Sequence, residues 1–312
     1  MLVPATSLLS ILSIASSVVA APSFSFSKWH PTGLTPSGPS EGDNGAVKRS
    51  VVCAVSNSME KRRSRVKKLK TMRKPERNNK NSEVTIPVQF FVIASNETLE
   101  GGWVPDSQIM DQIDVLNEDF ANAMIKWDLV NTTRIINEEW FEGVSADNDV
   151  DKAMKTELRV GKQDTLNIYT VELTRRFFGY ATFPDDYDED PKADGVVLNY
   201  RTLPKGSLAP FNEGRTLTHE VGHWVGLFHT FVEEDDRDED GCNGDGDFVD
   251  DTPPQLEPTD GCTVQDTCID QAGEDNRANF MDYSDDSCMQ LFTPGQVERM
   301  REELAVYRDI DA

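Results

Sequence analysis

Apolar residues fall into runs along this chain, and the spacing within each run predicts an element. "EVTIPVQFFVIA" (83–94) is β-branched and continuously apolar, as in a strand buried on both faces. Ile109, Ile113, Leu116 and Phe120 follow at steps of 4, 3 and 4, the stripe of a helix opened by Asp106 or Ser107. "TLNIYTVEL" (165–173), "GYATF" (179–183) and "GVVLNY" (195–200) read as further strands, with a helix around 147–160 ended by Gly161. Strands alternating with helices predict an α/β layer. Leu217, Val221, Val225 and Phe228, at steps of 4, 4 and 3, predict a core-docked helix. A last helix is capped by Thr293, has Pro294 in its first turn, and carries Val297, Met300, Leu304 and Tyr307.

Elsewhere the pattern is absent. Residues 22–45 are rich in Pro, Gly and Ser, and neither they nor the basic run after them shows apolar periodicity, so both read as a pro-segment of low order. Beyond residue 230 the chain turns to acidic, Gly- and Pro-rich loops. No internal repeat is visible.

Charge divides the chain in the same places. Residues 46–80 hold 13 Lys and Arg against 2 Asp and Glu, a net of +11, whereas 81–312 hold 17 against 51, a net of −34. A basic run alone would suggest nucleic acid. Placed ahead of an acidic domain, it reads instead as a removable segment that neutralises that domain. Residues 2–20 are apolar and uncharged, end in small residues suited to cleavage near Ala20, and lack a stop-transfer flank. These observations predict a signal peptide over 1–20, a pro-segment over 21–82 and an ordered acidic domain over 83–312, in a secreted chain with no membrane span and no nucleic-acid partner. Four of the five cysteines, Cys242, Cys262, Cys268 and Cys288, lie in the acidic C-terminal part, and Cys53 stands apart in the basic run. An even set plus one suggests two disulfides and a thiol with its own task.

"HEVGHWVGLFHTF" (219–231) holds three of the four histidines in the chain. On a helix His219 and His223 project from one face, close enough to share an ion, while Glu220 points elsewhere, toward a water on that ion. Gly226 can take the positive φ that ends the helix, so that His229 swings back as a third ligand. Three neutral imidazoles leave a tetrahedral zinc one open position, the catalytic arrangement. The alternative is a set of core histidines without a metal.

The segment resembles the metzincin signature HExxHxxGxxH, and "NFMDYSDD" (279–286) resembles the Met-turn beneath the zinc of those enzymes. "IPVQFFVIAS", "VLNEDFA", "DGVVLNYRTLP", "DTPPQ" and "CMQLFTPGQVERM" extend the likeness over 83–308, to fungal extracellular metalloproteinases related to pappalysins. The resemblance implies a metzincin fold: a twisted mixed sheet with the active-site helix in an N-terminal α/β subdomain, then an irregular disulfide-braced subdomain ending in a helix. It implies a secreted zinc endopeptidase made as a latent precursor, monomeric and acting on protein or peptide substrates. Zinc would polarise the scissile carbonyl and acidify its water, with Glu220 as general base. Met281 would be the Met-turn methionine, a packing base, and Tyr283 a donor to the oxyanion. The relatives interlace their disulfides, which implies Cys242 with Cys268 and Cys262 with Cys288. A catalytically silent binding protein of the same fold is the rival reading.

Further expectations attach to single residues. Cys53 is a candidate latency thiol for the fourth zinc position, although Ala54 stands where relatives often carry glycine; the alternative is an exposed thiol in a linker. The acidic loop 233–253 departs from an EF-hand at Phe248 and Pro254, and offers Asp247, Asp251 and Thr252 for calcium, or is simply solvated. Asn96 and Asn131 begin glycosylation sequons. Asp285 and Asp286 are candidate acids for a pocket that takes Lys or Arg, or else ordinary surface acids. "GVVLNY" is a candidate edge strand for an extended substrate, or else simply sheet core.

Overall fold

In a parallel sheet covered on both faces, strands must be apolar throughout, and the runs in this chain meet that need. The computed structural model describes residues 58–72, 82–173, 177–237 and 241–311. The segment expected as signal peptide, and Cys53, lie outside the described residues. Among the described residues five strands form one sheet: β1 (Val84–Ala94), β2 (Ile125–Ile136), β3 (Leu166–Val171), β4 (Gly179–Ala181) and β5 (Val196–Asn199). Their order is β2-β1-β3-β5-β4, parallel except for β4, which runs antiparallel to β5 at the edge. The strand at 195–200 is therefore interior, the sheet-core alternative rather than the edge. β4 takes the edge instead, because it returns beside β5 with Gly179 opposite Leu198.

β2 carries no apolar run and was not predicted. It lies at the opposite edge, where only its first turns of the pleat alternate buried and exposed, and a bulge opposite Val88 and Gln89 turns Val130 outward.

Among the described residues six α-helices complete the fold: α1 (Met59–Thr71), α2 (Asp106–Asp119), α3 (Glu138–Gly143), α4 (Asp149–Leu158), α5 (Arg215–Trp224) and α6 (Pro294–Tyr307). Ile109, Ile113 and Leu116 of α2 are buried as their spacing required; the helix begins at Asp106 behind Pro105, so neither Asp106 nor Ser107 is its cap. In α6, Thr293 and Gln296 form a reciprocal capping box. Asp194, fully buried ahead of β5, accepts hydrogen bonds from Arg159, Thr182, Trp224 and Arg308, which ties the end of α5 to α6 and to the sheet.

α1 lies within the segment read as low in order. Its buried face runs Met59, Arg62, Arg65, Val66 and Leu69. Two of these five positions are arginines, so apolar counting misses the stripe. Their charges are answered across the contact: Arg62 donates to Asp236 at 2.7 Å, and Arg65 pairs with Asp185 and Asp186 while lying over the Phe183 ring. Val66 packs with Phe183 and Phe228.

Candidate active site

The histidine-bearing helix is fixed at both ends by backbone chemistry. Gly214, at φ 95°, turns the chain into α5, and the Asp286 carboxylate accepts from the N–H groups of Glu213 and Arg215 at 2.8 and 3.3 Å. An acid there satisfies donors that a helix start leaves without partners. Burial pushes Asp286 up to about 6. Asp286 thus anchors the helix start; it is not the pocket acid expected from its place after the Met-turn. At the other end Gly226 has φ 97°, with Gly226 N–H bonded to His223 O and Leu227 N–H to Gly222 O, the paired bonds of a Schellman cap. The apolar stripe suggested a helix reaching Phe228; the cap ends it at Trp224 and frees His229 to turn back.

The three Nε2 atoms of His219, His223 and His229 form a triangle with edges of 3.1, 3.1 and 3.2 Å. Tetrahedral zinc with imidazole ligands at about 2.0–2.1 Å would hold them roughly 3.3 Å apart, so the donor set fits that ion. Each Nδ1 is engaged from outside: His219 donates to Phe280 O, His223 to Leu227 O, both at 2.8 Å, and His229 to Glu233 Oε1 at 2.5 Å. That fixes the tautomer with every Nε2 lone pair inward. Burial, with help from the neighbouring imidazoles, lowers His219 to about 3 and His223 well below the usual value. Both are neutral, as metal ligands must be.

Around this triangle the packing assigns places to other residues. Glu220 is fully buried on α5 and lies against Gly179 of the edge strand, where any Cβ would overlap its carboxyl group. Met281, also fully buried, puts its sulfur where a Cβ on Gly222 would stand, so the turn that carries it packs directly against the helix at that glycine. Asp282 knits that turn to the preceding loop by accepting from Gln255, Thr259 N–H and Tyr283 N–H at 2.8–3.0 Å. The Tyr283 ring stands beside His229, Phe231 and His219, with centroids 4.9, 4.6 and 5.6 Å away. Gly179, Gly222, Asp282 and Glu233 were not found from sequence. Only Glu233 had a local signal, four residues after His229, and the acidic run around it hides that signal.

The remaining candidates lie apart from the triangle. Disulfides join Cys242 to Cys268 and Cys262 to Cys288, in the interlaced pattern. Asp247 accepts from Thr252 Oγ1 at 2.6 Å, and its buried Oδ2 has no hydrogen-bond partner among the described residues, in a cavity of about 190 Å³ also lined by Thr230 and Asp250. Burial pushes Asp247 up to about 6. Asp251 does not join it, because its two oxygens accept from Thr293 Oγ1 and Gly295 N–H at the start of α6. Asn96 and Asn131 are both exposed.

A mixed sheet carrying an HExxHxxGxxH helix, with a methionine turn beneath it, defines a zinc metalloendopeptidase of metzincin fold. The chain is 44% identical over 223 residues to an extracellular metalloprotease of Verticillium alfalfae, a match covering 70% of this chain and 76% of that one. It is 43% identical over 229 residues to one of Colletotrichum graminicola, covering 72% and 78%. Among solved structures it resembles Tannerella forsythia promirolysin, determined as a mutant, at TM-score 0.68 and 29% identity over 82% of this chain and 95% of that one. Tannerella forsythia mature mirolysin in complex with a cleaved peptide matches at TM-score 0.59 and 30% identity, over 73% of this chain and 98% of that one. A family model described as Pregnancy-associated plasma protein-A matches residues 162–305. The chain belongs to this family, Peptidase_M43, and is an extracellular enzyme like its named relatives.

Proposed function

We propose that this chain is the latent precursor of a monomeric endopeptidase in which His219, His223 and His229 hold zinc, Glu220 is the general base and Tyr283 assists. The observation that carries this reading is the triangle of three imidazoles with their Nε2 atoms inward and Glu220 buried beside it on the same helix. Zinc, when bound, supplies a Lewis acid for the scissile carbonyl and acidifies water. Glu220 takes the proton of the attacking water and passes it to the departing amine. Tyr283 donates a hydrogen bond to the oxyanion as charge develops. An extended protein or peptide substrate adds to the edge strand β4, whose Gly179 touches Glu220.

The precursor reading draws on α1. Met59 N–H and Arg62 both bond to Asp236, three residues past Glu233, so the start of α1 is held close to the His229 loop. Cys53 precedes Met59 by six residues, an extended reach of roughly 20 Å, and its thiolate is the candidate for the fourth zinc position. The promirolysin match covers more of this chain than the mature mirolysin match, 82% against 73%, which agrees with a pro-segment. Calcium at Asp247 and Thr252, where a buried carboxylate oxygen has no hydrogen-bond partner among the described residues, would stabilise the acidic loop. Asn96 and Asn131, both exposed, are accessible to glycosylation.

Glu220→Ala in the processed enzyme should keep about one zinc per chain yet lose at least roughly a hundredfold in peptide hydrolysis. Metal loss equal to that of His223→Ala would refute the assignment, and a wild type with zinc but no chelator-sensitive hydrolysis would favour the silent binding protein. Cys53→Ser should activate a precursor made resistant to cleavage; an equally inactive variant means that latency is steric.

A further inference from the structure

His219 and His223 inherit their orientation from α5, and each donates its Nδ1 proton to a main-chain carbonyl. His229 lies beyond the helix and has no such support. Its Nδ1 meets a carboxylate, Glu233 Oε1, at 2.5 Å. The imidazole is itself buried, while the Glu233 side chain keeps about a quarter of its surface exposed (26%). A carboxylate on the outer nitrogen of a ligating histidine fixes the tautomer, stops rotation of the ring and makes the inner nitrogen a stronger donor. The segment that presents Glu233 is also held: Val232 N–H bonds to Gln255 O, and Asp236 is fastened by Arg62 and by Met59 N–H. A carboxylate delivered from a braced loop onto the one metal-site histidine outside the helix has a consequence for the ion.

We propose that Glu233 is a positioning residue for the metal site, holding His229 with Nε2 toward the ion and thereby setting how tightly zinc is retained. The proposal rests on the zinc assignment above. It competes with a bland alternative, in which the Phe231 ring, stacked on His229 at 4.7 Å, and Tyr283 orient the imidazole unaided.

The test is chelator competition on the full chain, with zinc retention read by a chromophoric chelator for wild type, Glu233→Ala, Glu233→Gln and Glu234→Ala. Glu233→Ala should weaken retention by about 10–100-fold, the usual effect of removing such a partner, while unfolding of the metal-free chain is unchanged. Glu233→Gln keeps an acceptor oxygen at the same reach and should recover part of the loss. Glu234→Ala, on the exposed neighbour, should match wild type. In cobalt-substituted protein, the visible spectrum should change in Glu233→Ala and not in Glu234→Ala. Retention by Glu233→Ala within about twofold of wild type, or an equal loss in Glu234→Ala, overturns the proposal. A wild-type chain that binds no zinc at all instead overturns the zinc assignment, so the two failures can be told apart.

Discussion

Gly222 and Met281 form a contact whose strength can be worked from the structure. A Cβ on Gly222 would overlap the Met281 sulfur and come within 3.3 Å of Met281 Cε and 3.7 Å of Phe292. Overpacking of this kind costs about 1–3 kcal/mol, set against a gain of about 1 kcal/mol from replacing glycine by alanine within a helix. Gly222→Ala alone should therefore destabilise by about 0–2 kcal/mol. Met281→Ala alone empties a fully buried site and should cost about 2–5 kcal/mol. Combined, the new methyl enters space vacated by the thioether, and the overlap disappears. The double variant should be more stable than the sum of the singles predicts, by about 1–3 kcal/mol. Urea unfolding of the metal-free chain, with both disulfides intact, measures the four corners of this cycle. Zinc retention gives a second reading: Phe280 O, one residue before Met281, holds His219 Nδ1, so Gly222→Ala should also weaken the metal site. Additivity within about 0.5 kcal/mol would show that the Met-turn does not brace the helix at Gly222.

Gly179→Ala should displace the Glu220 carboxyl group and lower kcat by roughly 10–100-fold with zinc content unchanged; lost zinc, or unchanged turnover, would argue against this contact. Burial pushes Glu303 up to about 7 against the pull of Arg299, so the native chain holds a proton that the unfolded chain releases near 4.5. Stability from this group is present below about 4.5 and lost as pH rises through about 7, by at most about 3 kcal/mol. Glu303→Gln should remove that slope, visible as a stability difference from wild type that shifts in the variant's favour between pH 5 and 8, about 1–3 kcal/mol by urea titration. Arg62→Ala removes the buried cation paired with Asp236 and should loosen α1, so that limited proteolysis of the full chain near residue 70 becomes faster; an unchanged rate would mean that α1 is held by its apolar contacts.

Local signals carried the centre of the site. His219, Glu220 and His223 lie on one helical turn, and their relative directions follow from 3.6 residues per turn whatever surrounds them. Gly226 likewise announces a helix end, because a left-handed residue there excludes continuation. The long apolar strands and the capped final helix were legible for the same reason: each is specified by its own period. Other features depend on partners far away in the chain. The edge strand is β4 because it pairs beside β5, and no property of 195–200 read alone reveals that its free side is covered. α1 buries Arg62 and Arg65, which makes sense only once Asp236, Asp185 and Asp186 stand opposite them, more than a hundred residues on. Glu233 is one acid in a run of four until the turn at Gly226 brings His229 to it, and Gly179 and Gly222 gain meaning only from the side chains pressed against them. Periodicity encodes what a segment buries; which charge meets which, and which glycine makes room for a side chain, is fixed only by packing between segments.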